Sequence, residues 1–456
     1  MEENRMGTQP VNSLLLSMAL PMVASMLVQA LYNIVDSIFV GWYDLNALTA
    51  VSLAFPYQNL MIAVASGTGV GMNALLSKSL GEREYKKANI VAGNGIVLAI
   101  ISTLVFVVLG ITVTEAFFRI QNPNANIVAY GKDYLTICSC FSFGIFGQFI
   151  FERMLQSTGK TIYSMFSQVM GAGVNLILDP IMIFGYFGFP QMGVKGAAAA
   201  TVIGQITAMI AAFCFNHKFN EYIKLCPEIM KLKKDIVKKI YSVGIPSILM
   251  VAIGSVMTFC FNKILVQFDA VKTVYGKNAG TIATTVFGVY FKLQSFIFMP
   301  VFGINNGMVP IIAYNYGARK KERITKTMTL SMTYATILMM AGIALFQLIP
   351  DKLISMFNDN ASLKAMGIPA LRIISISFLF AGFCIISSSV FQALGKGHYS
   401  LIVSAARQLL LIIPVAYLLS RTGNPNLVWL SFPIAEIASL ILCIFFIKRI
   451  FKRIAI

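Results

Sequence analysis

The sequence predicts an all-α polytopic membrane protein with twelve transmembrane helices in two pseudo-symmetric six-helix lobes. Three observations support this prediction. The 456 residues are 57% hydrophobic and only 12% charged, which is roughly half the charged fraction of an average soluble domain. The apolar residues form long blocks instead of alternating with polar ones, which is typical of membrane spans. Several stretches of the first half recur in the second half.

Charged or turn-rich breaks divide the chain into twelve apolar blocks. The first block is longer than the apolar core of a leader peptide and lacks a small-residue cleavage site after it, so we interpret it as a span. The predicted spans cover residues 13–40, 47–78, 88–114, 127–157, 161–187, 193–217, 238–266, 279–315, 324–349, 366–394, 399–420 and 426–447.

The internal repeat relates the two halves of the chain. The stretch RMLQSTGKTIYS from Arg153 has its counterpart in SVFQALGKGHYS from Ser389, so that Gly159 and Gly395 are 236 residues apart. Six spans are an even number, so both halves run the same way through the membrane. We therefore predict an N-terminal lobe, a cytoplasmic linker and a C-terminal lobe at residues 1–217, 218–237 and 238–456.

The net charge of +18 is explained by its distribution over the loops. With a cytoplasmic N-terminus, 23 Lys and Arg residues fall on inner segments and 8 on outer segments. This bias predicts a multi-pass protein of the bacterial cytoplasmic (inner) membrane with both termini in the cytoplasm. Its basic face borders anionic lipid, so no nucleic-acid partner is needed to explain the charge.

Metal and enzyme chemistry find little support in the sequence. The seven cysteines form no CxxC pair, and His217 and His398 are the only histidines. We therefore expect no bound zinc or iron–sulfur cluster. HExxH and GxSxG motifs are absent, which argues against an intramembrane enzyme, and we expect no catalytic residue.

Six stretches, in this order, resemble the multidrug and toxic compound extrusion (MATE) family. They are LPM…DSIFVG with Pro21 and Asp36, SLGEREYKKA at 79–88, NLILDPIMIFG at 175–185, GVKGAAAATVI at 193–203, KLQSFIFMPVFGINNGMVPIIAYNYGA at 292–318 and FQALGKGHYS at 391–400. The chain is similar to the DinF-like branch, because its seventh span has no carboxylate between Ser242 and Val266.

The resemblance implies a two-lobe bundle with a central cavity. It also implies export of small amphiphilic, often cationic, organic compounds in exchange for H⁺ or Na⁺. The expected partners are the lipid bilayer and these substrates. We expect a monomer with no cofactor other than the coupling ion.

Acidic and amide residues of three first-half spans lie at similar depth. Asp36 is roughly 6 Å, and Asp179 roughly 12 Å, from the outer end of its span, and Asn175 is one turn deeper than Asp179. Two carboxylates can share a proton, and the same oxygens could ligate Na⁺. The resemblance implies that Asp36, Asn175, Asp179 and Thr201 form the cation site.

Further residues are predicted to line the cavity or to move it. Gln29, Asn33 and Lys292 are cavity-lining candidates, and Asn33 shares a helix face with Asp36. Pro21 is the predicted helix hinge, because a mid-helix proline removes a hydrogen bond. We also expect prolines to interrupt spans 2 and 8, at Pro56, Pro300 and Pro310.

Four charged residues inside spans are expected to be structural. Arg407 and Glu436 have compatible depths, so we predict that they form an ion pair within the second half. Glu152 and Arg153, near the inner end of span 4, are expected to pair or to snorkel toward water.

Two other membrane functions stay open at this point. A flippase for lipid-linked precursors would share the two-lobe plan, but it would favour a more cationic cavity than one with two aspartates. A channel fits less well, because an inexact repeat with proline-containing helices suits alternating access.

Overall fold

The computed structural model describes residues 4–121, 124–224, 230–270, 278–357 and 360–454. Within these ranges the chain is helical and contains no strand. Ten helices are long and apolar enough to cross a membrane, and two bent helix pairs bring the number to twelve when each pair is counted as one span. The predicted fold class is therefore confirmed.

The first half contains six spans. Helices α6 and α7 form one of them, bent by 45°, and α1 and α5 are short additional helices. The bounds are α1 Arg5–Thr8, α2 Val11–Tyr43, α3 Leu45–Gly81, α4 Tyr85–Thr112, α5 Thr114–Gln121, α6 Ala125–Cys140, α7 Phe143–Ser157, α8 Thr161–Phe184 and α9 Val194–Phe219.

The second half repeats this plan. Helices α14 and α15 form the bent span, with an angle of 51°, and the π-helical segment Ala406–Ile412 joins α16 to α17. The bounds are α10 Lys234–Val266, α11 Ala279–Gly317, α12 Lys321–Leu348, α13 Pro350–Ser355, α14 Ala361–Ser375, α15 Phe378–Ala393, α16 Gly397–Ala405, α17 Ile413–Ser420, α18 Pro425–Val428 and α19 Ser431–Ile454.

Backbone angles at the turns show the repeat directly. Arg83 and Arg319, which are 236 positions apart, both adopt left-handed conformations with φ of 61° and 57°. Gly159 and Gly395 have the same spacing and φ values of 85° and 72°. Non-glycine residues seldom adopt positive φ, so its recurrence at matching positions identifies the same helix–turn–helix unit in both halves.

The expected interruption of spans by proline is wrong. Helix α3 is continuous through Pro56, and α11 is continuous through both of its prolines. One missing backbone hydrogen bond is tolerated in a membrane helix packed against its neighbours. The sharp bends instead follow Cys140 and Ser375. In the second bend the hydroxyl of Ser377 donates to the carbonyl of Ile374 at 2.7 Å.

The two halves meet most closely near one end of the bundle. We call this end the basic face; it comprises α1, the turns at 82–84, 158–160 and 318–320, and the end of α19. A Cβ atom at Gly71 of α3 would lie 2.1 Å from the carbonyl oxygen of Ile240 in α10. A Cβ atom at Gly81 would lie 1.9 Å from the carbonyl oxygen of Tyr314 in α11. Only glycine permits such an approach between backbones.

The N-terminal segment bridges both halves at the basic face. Asn4 Nδ2 donates to the carbonyl oxygen of Thr158 at 3.3 Å in the first half. From the second half, Asn315 Nδ2 and Arg323 Nη2 each donate to the carbonyl oxygen of Met6 at 3.0 Å. Met6 is fully buried, so this segment helps to close the basic face.

The predicted linker lies partly outside the described residues, since 225–229 are not included. Its described parts are fastened to α4 by two asparagines. Asn89 Oδ1 accepts from the backbone N–H of Lys224 at 2.7 Å, and Asn94 Oδ1 accepts from that of Lys233 at 2.9 Å. These bonds satisfy backbone donors that would otherwise lie unpaired beside the bundle.

Candidate cation and substrate site

A cavity of about 630 Å³ lies inside the bundle. Its wall comes mainly from α2, α3, α7, α8 and α9 of the first half, and α11 of the second half completes it. Aromatic and thioether side chains cover much of this wall, among them Phe149, Phe298, Phe302, Met26 and Met299. Such a volume and lining suit a small organic molecule with an apolar body.

Two aspartates meet beside this cavity. The carboxyl groups of Asp36 in α2 and Asp179 in α8 lie close enough to interact directly with each other. Asn175, one helical turn from Asp179, donates from Nδ2 to Asp179 Oδ1 at 3.3 Å. Asp179 is fully buried and Asn175 is 3% exposed. Asn175 also lines the cavity, so it connects the aspartate pair to the substrate space.

The oxygens of this pair are incompletely satisfied by the described residues. Asp36 Oδ1, Asp179 Oδ2 and Asn175 Oδ1 are buried without a hydrogen-bond partner. Carboxylate and amide oxygens accept protons or hydrogen bonds and also ligate hard cations. The arrangement therefore fits either a proton shared by the two carboxyl groups or a small cation held by three oxygens.

The other predicted site residues are placed as follows. Thr201 of α9 and Gln29 of α2 line the cavity. Thr201 reaches the cavity because α9 packs closely on α8. A Cβ atom at Gly204 of α9 would lie only 2.9 Å from Asn175 Cβ of α8. Asn33 belongs to α2, but its side chain lies outside the described part of the structure.

The placement expected for Lys292 needs correction. Its neighbours Phe291, Gln294 and Ser295 line the cavity, and Lys292 is absent from the described lining. Successive residues of a helix point about 100° apart, so the face of α11 that presents Phe291 turns Lys292 away. The Lys292 ammonium instead lies 5.9 Å from the ring centre of Phe357.

The expectation that Glu152 and Arg153 pair or snorkel is also wrong, because the two buried side chains form no ion pair with each other. Glu152 is 4% exposed and Arg153 is 9% exposed, and both line the cavity. Glu152 accepts hydrogen bonds from Gln148 Nε2 at 3.0 Å and Gln168 Nε2 at 2.7 Å. The sequence did contain a signal for this buried site. Glutamines lie four residues before Glu152 and three residues after Arg153.

Arg407 and Glu436 lie away from this cavity. Arg407 Nη1 is 3.4 Å from Glu436 Oε2, and the Glu436 side chain is 7% exposed. Arg407 belongs to the π-helical segment, whose wider turn changes the direction of its side chain. The pair joins this segment to α19 within the second half.

Comparisons with known proteins agree with this architecture. The MatE family model matches residues 21–181 and 255–418. The multidrug export protein MepA of Staphylococcus haemolyticus (strain JCSC1435) is 26% identical over 440 residues, covering 96% of this chain and 93% of that protein. MepA of Staphylococcus aureus (strain MRSA252) is 25% identical over 429 residues, with coverages of 94% and 91%.

Solved structures share the fold. One, described as the outward-facing conformation of a multidrug resistance MATE family transporter of the MOP superfamily, superposes with a TM-score of 0.90 at 24% identity, covering 100% of this chain and 99% of that one. A MOP superfamily transporter from Pyrococcus furiosus Vc1 (DSM3638), for which a reverse polarity of the binding pocket is described, gives a TM-score of 0.88 at 23% identity, with the same coverages. With a repeated twelve-span fold and a family model that matches most of its length, this chain belongs to the MATE family of multi-pass membrane transporters.

Proposed function

We propose that the protein is a secondary active antiporter of the bacterial cytoplasmic membrane, which exports amphiphilic cationic compounds in exchange for H⁺ or Na⁺. The observation that carries the proposal is the buried contact between Asp36 and Asp179 beside the 630 Å³ cavity. Intramembrane acids are costly and normally functional. The similarity to multidrug export proteins supports the direction and breadth of transport.

The aspartate pair can couple ion binding to cavity shape. Two ionised carboxylates in contact repel each other and are poorly solvated away from water. Binding of H⁺ or Na⁺ relieves this repulsion, so α2 and α8 pack more tightly and the cavity contracts at Asn175. Ion and substrate then favour opposite states, which exchange requires, because a ligand shifts an equilibrium only through its differential affinity.

Pro21 is proposed as the hinge of α2. It precedes Asp36 by fifteen residues, about 22 Å along the helix, and weakens the helix at that level. On either side of Pro21, helix α2 touches α11. A Cβ atom at Gly307 would lie 2.7 Å from the backbone of Ala19, and one at Gly303 would lie 2.6 Å from the backbone of Val23. Bending at Pro21 would therefore move the end of α2 that carries Asp36, while the contact between the two halves near the basic face stays closed.

The closeness of the two carboxyl groups suits H⁺ as the coupling ion. A single proton shared between them removes their mutual repulsion. The unpartnered oxygens at the pair also suit Na⁺. Both ions therefore belong in the test.

Transport by purified protein in liposomes tests the proposal. Efflux of tetraphenylphosphonium is followed under an imposed pH gradient, an imposed Na⁺ gradient or neither. Tetraphenylborate is the matched anion of the same size and shape. We expect one gradient to accelerate efflux of the cation and not of the anion. Efflux that ignores both gradients, or that favours the anion, contradicts a cation exporter driven by this pair.

A further inference from the structure

A second buried carboxylate, that of Glu152, lines the cavity itself. Both Glu152 oxygens accept hydrogen bonds from glutamine side chains, and Ser167 Oγ lies 3.4 Å from Oε1. Arg153 does not neutralise it by direct contact, because its Nη1 donates to Gln156 Oε1 at 2.8 Å and Asn306 Oδ1 at 2.9 Å. Among the described residues, no Lys or Arg nitrogen forms an ion pair with Glu152.

The surrounding wall has unused hydrogen-bond acceptors. Gln168 gives its N–H to the Glu152 carboxylate, so its own Oε1 is left as an acceptor. This oxygen and Gln294 Oε1, which approaches from α11, are buried without a partner among the described residues. Acceptors cannot satisfy one another, so the wall is complementary to a group with several N–H donors.

We propose that Glu152, Gln168 and Gln294 form a substrate subsite for a cationic group that donates hydrogen bonds, such as an amidinium, a guanidinium or a primary ammonium. The planar aromatic body of such a substrate lies against Phe298 and Phe302. This inference rests on the proposed function and narrows its substrate class. A quaternary ammonium or phosphonium ion carries charge but no N–H, and it leaves these acceptors unpaired.

The subsite is separate from the aspartate pair. Gln168 and Asp179 lie on one face of α8, eleven residues or about 16 Å apart. Tyr32, which also lines the cavity, is within electrostatic range of Asp36, Asp179 and Glu152. Substrate and coupling ion can thus bind different carboxylates and still influence each other through the wall between them.

Equilibrium binding to the purified protein, measured without any gradient, tests the subsite. The probes are the aromatic diamidine DAPI, which donates N–H bonds, and tetraphenylphosphonium, which does not. Glu152→Gln removes the charge and keeps the shape. We expect it to weaken DAPI binding about 20-fold or more, as loss of charged hydrogen bonds does, and tetraphenylphosphonium binding by less than about threefold. Gln168→Met should weaken DAPI binding about fivefold. Glu115→Gln, on exposed helix α5, is the matched control and changes neither constant.

Equal losses for both probes in Glu152→Gln, or unchanged DAPI binding in both variants, overturn the subsite. Retained tetraphenylphosphonium binding reports that the variant is folded, and Gln168→Met gives an independent answer if Glu152→Gln does not fold. The proposed function can fail separately. A wild type that prefers DAPI but shows no gradient-driven efflux keeps the subsite and loses the antiport, whereas one that effluxes both probes without preferring DAPI loses only the subsite.

Discussion

Arg153 in the first half of the chain donates a hydrogen bond to Asn306 in the second half, with 2.9 Å between Nη1 and Oδ1. The bond crosses from α7 to α11 at the cavity wall, and both residues line the cavity. Gly69 leaves room for it, since a Cβ atom there would lie 3.0 Å from Arg153 Cγ. The bond therefore ties the two halves together at the cavity wall.

Removing either partner should weaken this tie. We expect Arg153→Ala and Asn306→Ala each to lower the free energy of unfolding in detergent. Arg153→Ala leaves the buried Gln156 Oε1 without its donor, and Asn306→Ala removes one of the two acceptors of Arg153 Nη1. The double variant should lose less than the sum, with a coupling of about 1–2 kcal/mol. Strict additivity in this double-mutant cycle would mean that the two side chains do not interact in solution.

Closure of the basic face depends on glycine where α3 of the first half packs on α10 of the second half. Gly71→Ala should cut gradient-driven efflux at least tenfold, because its Cβ would lie 2.1 Å from a backbone oxygen of α10. Overpacking of this kind typically costs about 1–3 kcal/mol. Gly288→Ala is the matched control, since no atom lies within 4 Å of a Cβ atom at that position of α11. Equal efflux by the two variants would show that α3 and α10 need not pack this closely during transport.

The sequence predicts well how deep a residue lies in the membrane, and predicts poorly in which direction its side chain points around the helix axis. Each helical residue adds a fixed rise of 1.5 Å, so the apolar blocks determine how deep a residue lies. Asp36 and Asp179 were placed at similar depth in this way, and the structure brings them into contact. The direction around the helix axis depends on neighbouring helices, which no single span specifies. For that reason the sequence predicts Lys292 in the cavity and predicts that Glu152 pairs or snorkels, whereas the structure places Glu152 in the cavity lining.

Helix bends show the same limit. Proline is the usual local cause of a kink, and the sequence therefore pointed to Pro56, Pro300 and Pro310. The helices run through these residues without a break. The breaks between helices follow Cys140 and Ser375 instead, with bends of 45° and 51°.

The ion pair of the second half should stabilise the fold without affecting coupling. Arg407→Ala or Glu436→Ala leaves a partly buried charge unpaired, so each should destabilise the protein by about 2–4 kcal/mol. Replacing both by leucine should cost less than either single change. The readout is unfolding in detergent, together with efflux by the surviving protein. A double-leucine variant that is stable but inactive would assign the pair a role in transport.

Orientation in the membrane follows from the charge bias. We expect Lys231→Cys, in the predicted cytoplasmic linker, to resist a membrane-impermeant maleimide added to intact cells, and Phe187→Cys to react. Phe187 is 89% exposed in the turn after α8, which places it at the opposite end of the bundle. The native cysteines are replaced beforehand in both variants. The reverse labelling pattern would invert the proposed direction of transport.

The central claim is that the Asp36–Asp179 pair couples ion entry to substrate export. The most direct measurement is gradient-driven efflux of tetraphenylphosphonium from liposomes containing purified Asp36→Asn protein. Asparagine keeps the size of the side chain but cannot be ionised, so the pair loses the charge change that drives contraction of the cavity. Glu115→Gln, which removes an exposed carboxylate, controls for general loss of acidity. The account predicts that Asp36→Asn efflux falls to the rate of protein-free liposomes while substrate binding persists; efflux at the wild-type rate would contradict it.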